Sequence, residues 1–233
     1  EGLIFVSLSQ HPPSFEAVRS DIEPHLKPHG LASAKICHTQ FMDIRANWKI
    51  IAENSRECYH CGPAHPELCK ILPFTSSLST SEADMARDSV SGSTEKRWSD
   101  QGIATYQIVE NGTNWHRAFR VPFSDGCSTL SIDGQPVAPL MGCLEDWQVG
   151  ILNAAVLPTF WLEAPGDYAA IYSYTPSGVS NTKARVDWLV RGDALEGDDY
   201  NVDKVVEMLR ITNEQDWRLC EETQLGVSSR RYQ

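Results

Sequence analysis

Between Asn47 and Phe74 the run NWKIIAENSRECYHCGPAHPELCKILPF places Glu53, Glu57, Cys58, His60, Cys61, His65 and Cys69 close together. Imidazole, thiolate and carboxylate at this density are what a metal ion recruits, and three kinds of centre compete for them. The series Cys58, Cys61, His65, Cys69 approximates a zinc knuckle with both longer gaps one residue short. A chain with a large apolar core has no need of structural zinc. An iron–sulfur centre of Rieske type takes one Cys-x-His pair, which Cys58 and His60 supply, and a second Cys-x2-His pair downstream. The chain contains no such second pair.

The third possibility uses the nitrogens alone. On an unbroken helix His60 and His65 stand ~140° apart, too far round to grip one ion through bonds of ~2.0–2.1 Å. The Gly62-Pro63 step between them offers a break, so that His60 closes one helix and His65 begins the next. Two imidazoles and one carboxylate make the facial triad of non-haem Fe(II) oxygenases, with positions left for O2 and substrate. Glu57, one turn before His60, is the local carboxylate; the remote ones lie in TNEQDWRLCEE near the C-terminus. Spacing leaves that choice open.

These residues need a scaffold. The 233 residues, 41% of them hydrophobic, suffice for one substantial core. Twenty basic against 31 acidic residues give a formal charge of −11, which argues against the clustered basic face that nucleic acid requires. No apolar run approaches the ~20 residues needed to span a bilayer, and the N-terminus lacks a secretory pattern. Seven cysteines, an odd count in a chain of this size, fit reduced thiols and predict a cytoplasmic protein. The opening EGLIFVSLSQ, apolar and without a methionine, predicts a segment upstream of Glu1.

LIFVSLS, Leu3 to Ser9, alternates as a strand does, and Ser14 to His25 has helical spacing with Phe15, Val18 and Ile22 on one side. Asn47 to Glu57 is predicted as an amphipathic helix, and residues 74–100, rich in Ser, Thr, Asp and Glu, as a surface excursion. From Gly102 the period changes to two. ATYQIVE, NWHRAFRVP, STLSIDG, VGILNAAVLP, TFWLEAP, DYAAIYSYTP and KARVDWLVRG are strand-like pieces separated by Gly, Pro and Asp. Val202 to Gly226 is a long helix with Val206, Leu209, Trp217 and Cys220 on its core face and Gly226 as its cap. The order predicts an α+β fold with one antiparallel sheet against the helices and no internal linker.

Asn47-Trp48-Lys49, Glu53-Asn54 and Glu57-x2-His60-x4-His65-Pro66 resemble the iron-binding signature of the catalytic domain of Rieske-type non-haem iron oxygenase α-subunits. The tail TNEQDWRLCEETQLGVSSRRY is similar to the closing helix of that family, so the likeness spans essentially residues 1–233 as one catalytic domain. It implies a helix-grip fold, a curved antiparallel sheet enclosing a pocket and packed on the long C-terminal helix. It implies His60, His65 and Asp216 as ligands of a mononuclear Fe(II). Glu57 then becomes a bridge that carries electrons from the [2Fe–2S] Rieske cluster of a neighbouring subunit in a homotrimer. The cluster belongs to an N-terminal domain that this chain lacks, and a reductase or ferredoxin supplies its electrons.

Glu at position 57, with SIDGQPVAPLMG and DYNVDKVVEMLRITNEQDW, is more similar to the branch that oxidises quaternary ammonium compounds such as glycine betaine. The expected reaction is O2-dependent hydroxylation of an N-methyl group, releasing formaldehyde. The alternatives are cis-dihydroxylation of an aromatic ring, as in aromatic hydrocarbon catabolism, and a non-catalytic helix-grip carrier, which would have no reason to keep His60, His65 and Asp216 together. A cationic head favours aromatic faces, offered by Trp115, Trp147, Phe160, Trp161 and Tyr168. Phe160 and Trp161 are adjacent in a strand, so at most one faces the pocket. Asn54 is the further pocket candidate.

Overall fold

In the computed structural model, which describes residues 3–12, 14–72, 90–105 and 115–231, one antiparallel sheet carries the fold. Five strands, β2 (His116–Val121), β3 (Ile151–Val156), β4 (Phe160–Ala164), β5 (Tyr168–Gly178) and β6 (Asn181–Val190), form a meander in which each bonds to the next. An earlier strand, β1 (Lys35–Ile44), joins the far edge beside β6, giving the order β1-β6-β5-β4-β3-β2. Before β1 lies α1 (Glu16–Leu26). Between β1 and β2 come α2 (Trp48–Asn54), the single turns α3 (Cys61–Ala64) and α4 (Leu68–Ile71), and α5 (Gly92–Asp100). The chain closes with α6 (Val202–Val227).

Alternation along the strands decides what each face meets. Phe119, Ile151, Trp161, Tyr172 and Val186 turn to one face and pack with Ile51 of α2 and Val206, Leu209 and Trp217 of α6. Ala118, Leu152, Leu162, Ala169 and Leu189 turn to the other and meet Val18, Ile22 and Leu26 of α1. With both faces covered, every residue of β2 and β3 is buried. Gly150, at φ +65°, enters β3 so close to β2 that a Cβ there would collide with the Val121 carbonyl.

The long helix forms as its pattern requires. Asn201 caps it by accepting the Lys204 N–H, and Val205, Val206, Met208, Leu209, Asn213, Trp217 and Cys220 return at three- and four-residue steps to one buried face. It ends at Ser228 rather than at Gly226, whose carbonyl instead accepts a backbone N–H. No helix among the described residues is long and apolar enough to cross a membrane.

Three expectations are corrected. Leu3 to Ser9 is not a strand: Phe5 packs on Phe15 and Phe160 while Ile4, Val6 and Leu8 face outward, so the alternation reports one-sided packing without a sheet partner. STLSIDG is not a strand either. Its Ser128 and Thr129 N–H groups turn back to the Gly134 carbonyl, and Asp133 accepts from Gln135 N–H. Within the 74–100 excursion, α5 is a capped helix whose Trp98 is fully buried and donates to the Gln148 carbonyl. Residues 74–89 of that stretch and most of ATYQIVE lie outside the described residues. β1, which the sequence reading did not single out, carries no period-two signature: in this edge strand of mixed burial, polar His38, Thr39 and Gln40 run together, as do apolar Ile36 and Cys37 and then Phe41 and Met42.

Asp167, fully buried just before β5, ties the 128–138 loop to the sheet. Its carboxylate accepts from Thr129 Oγ1 and from Val137 N–H at 2.9 Å, while the neighbouring Tyr168 hydroxyl donates to the Leu130 carbonyl at 2.7 Å. Burial pushes the Asp167 carboxyl up to about 6, against the hydrogen bonds that pull it down. The folded state therefore holds that proton above the ordinary carboxylate range, and this group's contribution to stability falls as pH rises from about 4 to about 6. Asp167→Ala should destabilise the fold by about 2–4 kcal/mol in denaturant titration, because it orphans buried donors. Asp167→Asn can still accept from Val137 and donate to Thr129, so it should cost under ~1 kcal/mol and flatten the pH dependence in that window.

Candidate metal centre

The stretch that holds the histidines folds as α2, an irregular turn and α3. Asn47 caps α2 by accepting the Lys49 N–H, and the helix unwinds after Asn54. His60 and His65 are the residues immediately before and after α3. The expected break at Gly62-Pro63 is therefore corrected: those two residues sit in the first turn of α3, where an amide N–H has no helical partner to lose. The chain breaks upstream of His60 instead, and one helical turn separates two imidazoles that both lean toward α6.

His60 Nε2 lies 3.1 Å and His65 Nε2 3.0 Å from the same Asp216 Oδ1 on α6. Among the carboxylates left open by spacing, Asp216 is the one these rings meet from inside. Glu57 faces His60 from the other side, its Oε1 2.6 Å from Nδ1. His65 Nδ1 stands 2.7 Å from Gln215 Oε1. The Gln215 amide is oriented in turn, because its NH2 donates to Glu67 Oε2 at 3.3 Å and a carboxylate can only accept. Tyr59 N–H holds the second oxygen of Glu57, and Asn54 Nδ2 donates to Asp216 Oδ1 at 2.8 Å.

Both Nδ1 atoms thus face obligatory acceptors and carry the hydrogen, which leaves each Nε2 lone pair aimed at a carboxylate oxygen. Such an array repels itself unless a cation stands among the three atoms. Protons answer this in part. Burial lowers the pKa of both imidazoles, but the Asp216 carboxylate overrides it, so both end above the ordinary histidine value. Burial raises the Asp216 carboxyl, yet its bonds to His60 and His65 bring the net below the ordinary range. A divalent ion answers it more fully, since ligands ~2.1 Å from a metal and at right angles to one another lie ~3 Å apart, the spacing found here between each imidazole nitrogen and the Asp216 oxygen. Two neutral imidazoles and a carboxylate fit a ferrous ion in donor type, spacing and orientation.

The thiols do not compete. Cys58 and Cys61 form a disulfide, which corrects the expectation of reduced thiols for this pair, and Cys61 Sγ, 3.9 Å from His60 Nε2, has no thiolate to offer. Cys69 Sγ turns to the Cys61 carbonyl, so the four zinc-knuckle residues do not converge.

A cavity opens beside these atoms, lined by Asn54, Glu57, His60, His65 and Asp216 and by the sheet face that holds Phe119, Asn153, Trp161, Glu163, Tyr172 and Tyr174. Trp161 lies on this wall, with the Arg117 guanidinium 4.3 Å from its ring centre. Phe160, proposed beside it, is corrected: strand alternation turns it to the opposite face, against Phe5. Trp115 packs on that opposite face as well, and Tyr168 lies under the 128–138 loop. Asn54 reaches the cavity, but its amide serves Asp216. Sequence reasoning missed Tyr172, Tyr174, Glu163, Asn153, Gln215 and Asn213. A signal existed for the strand residues, because Glu163 shares a face with Trp161, and Tyr172 with Tyr174, at two-residue spacing.

Residues 31–233 match the family model described as ring hydroxylating alpha subunit, catalytic domain. The glycine betaine monooxygenase oxygenase subunit of Pseudomonas aeruginosa UCBPP-PA14 is 35% identical over 234 residues, covering 100% of this chain and 54% of that protein. Its counterpart in Chromohalobacter salexigens is 32% identical, with 100% and 52% covered. The chain thus spans about half the length of these curated relatives. The solved quaternary ammonium Rieske monooxygenase CntA superposes with a TM-score of 0.62 over 96% of this chain and 49% of that one; at 18% identity it shows the shared fold. By the family match and by these relatives, the chain belongs to the ring hydroxylating alpha subunits, within their catalytic domain.

Proposed function

We propose that these 233 residues form the mononuclear iron domain of a Rieske-type monooxygenase that demethylates a quaternary ammonium compound such as glycine betaine. His60, His65 and Asp216 hold the Fe(II). The observation that carries this is the convergence of two Nε2 atoms on one Asp216 oxygen while each ring's Nδ1–H is locked onto an acceptor. The bound ferrous ion supplies the activation of O2. The electrons come from a [2Fe–2S] Rieske cluster outside these residues, fed by a reductase or ferredoxin. The working enzyme is a cytoplasmic homotrimer in which the neighbouring subunit's cluster docks at Glu57. In support, Glu57 is 22% exposed at its side chain and touches His60 directly, and the structurally related CntA is described as using inter-subunit electron transfer.

The residues of the chain divide the work. Glu57 and Gln215 fix the imidazole tautomers, and Asn54 holds the Asp216 carboxylate in position. Leu68, Leu72, Val121, Ile151 and Leu209 make the apolar part of the cavity and keep water from the reacting carbon. The substrate class is supported by charge: the described cavity residues include the carboxylates of Glu57, Glu163 and Asp216 and no lysine or arginine. The rings of Tyr172 and Tyr174 add an aromatic wall that suits a cation without N–H donors. In the net reaction two electrons and two protons join O2; one oxygen atom enters a methyl C–H bond and the other leaves as water. The hydroxymethyl ammonium then breaks its C–N bond to formaldehyde, a proton and the tertiary amine.

Three measurements test this. The complete protein with its reductase should release formaldehyde from glycine betaine in step with O2 uptake, and a cis-diol from an arene in its place would overturn the assignment. After anaerobic loading, metal analysis should find about one iron per wild-type chain and none on His65→Ala, while Gln215→Leu should lower iron affinity by about 10–100-fold. In the metal-free protein the raised histidine pKa values mean that this pair stabilises the fold fully below the ordinary imidazole range and loses that contribution as pH rises through the raised values. Thermal scans should therefore show Fe(II) adding more to Tm at about pH 8 than at about pH 6, where protons compete for Nε2; equal shifts would speak against imidazole ligation.

A further inference from the structure

Asn213 lies on the buried face of α6, three residues before Asp216, and lines the same cavity. It is 6% exposed; its side-chain amide faces the Tyr172 hydroxyl, and Nδ2 has no closer acceptor among the described residues. An amide NH2 carries two hydrogens, and the one not spent on Tyr172 costs about 1–3 kcal/mol if buried without an acceptor, which leaves it available to a ligand in the cavity. The other donors around it are committed. Asn54 Nδ2 donates to Asp216, the Tyr172 hydroxyl to Glu163, Thr212 Oγ1 to the Met208 carbonyl and Ser55 Oγ to the Ala52 carbonyl. Across the cavity Asn153, 7% exposed, presents a second polar atom, Oδ1, without a partner among the described residues.

Resting on the functional assignment above, we propose that Asn213 donates a hydrogen bond to the carboxylate of a zwitterionic betaine and thereby selects a substrate with an anionic tail over a plain tetraalkylammonium. Three residues along a helix are ~4.5 Å of axial rise, which is the scale of a small betaine from methyl carbon to carboxylate. A methyl group presented at Asp216's end of the cavity therefore brings the tail to Asn213. With Glu57, Glu163 and Asp216 already on the lining, an arginine or lysine receiving the tail would cancel the field that attracts the ammonium; a neutral amide receives it without doing so. Asn153 Oδ1, paired across β3 and β4 with Glu163, faces the positive end, since the methyl hydrogens of an ammonium carry partial positive charge.

The test uses the complete, iron-loaded protein and compares glycine betaine with tetramethylammonium, by calorimetric Kd and by formaldehyde release. Asn213→Leu should weaken betaine binding and raise its KM by about 10- to 100-fold while moving tetramethylammonium less than about 2-fold, with iron content unchanged. Asn213→Asp, which sets a carboxylate against the tail, should weaken betaine more than Asn213→Leu does. If Asn213→Leu folds poorly, Asn213→Ser should give the same selective loss at smaller size. Unchanged betaine affinity in these variants, or equal losses for both ligands, would overturn the role of Asn213 while leaving the oxygenase assignment standing. A wild-type protein that binds and oxidises neither ligand would overturn the assignment and this inference together.

Discussion

Two imidazole nitrogens, each about 3 Å from the same carboxylate oxygen and each presenting a lone pair to it, are the constraint around which this chain is arranged. No protein is stabilised by such a contact itself. It persists because each ring is clamped from behind by an acceptor that dictates its tautomer, and because those acceptors are themselves held, Glu57 by a backbone N–H and Gln215 by Glu67. The surrounding structure therefore stores a demand for positive charge at one point, and proton or metal must meet it.

Meeting that demand joins parts of the chain that are far apart in sequence. The histidines come from a short irregular stretch between β1 and the meander, whereas Asp216 and Gln215 come from α6, 150 or more positions later. Local propensity cannot hold such a pair together. The sheet does it, with α6 and α2 both packed on the face that carries Phe119, Trp161 and Val186, and Arg45 at the end of β1 tied to Glu221 of α6 by a side-chain pair and a backbone bond. The site is an outcome of tertiary packing, and the helices position ligands only because the sheet positions the helices.

That dependence explains which features were legible beforehand. His60 and His65 stood out through density alone, and the meander and long helix through periodicity. Asp216 was one acid among Glu214, Glu221 and Glu222, and only the resemblance of its neighbourhood to a known closing helix distinguished it. Gln215 and Asn213 gave no signal, because a neutral amide on a helix is ordinary until the fold brings a ring or a cavity to it. Phe160 and Trp161 show the limit within a strand: alternation says that one of them faces the cavity, but only the register with β3 and β5 says which. The 128–134 turn misled for a related reason. Its apolar residues alternate as in a strand, yet the hydrogen bonds that would make a ladder go to Gly134 and to the side chain of Asp133.

The two imidazoles are not equivalent, and their difference gives the centre a direction. The His65 side chain is 2% exposed and is backed by Gln215, a neutral amide inside the protein. The His60 side chain is 13% exposed and is backed by Glu57, a carboxylate that itself reaches the surface at 22%. A charged acceptor behind an imidazole makes that ring the stronger donor to a metal and the more polarisable of the two, whereas an amide does neither to the same degree. Any partner approaching from solvent meets Glu57 first and is then one hydrogen bond from His60. The centre thus has one side that lies a single hydrogen bond from solvent, through Glu57, while the opposite side is sealed by the packing of α6 against the sheet.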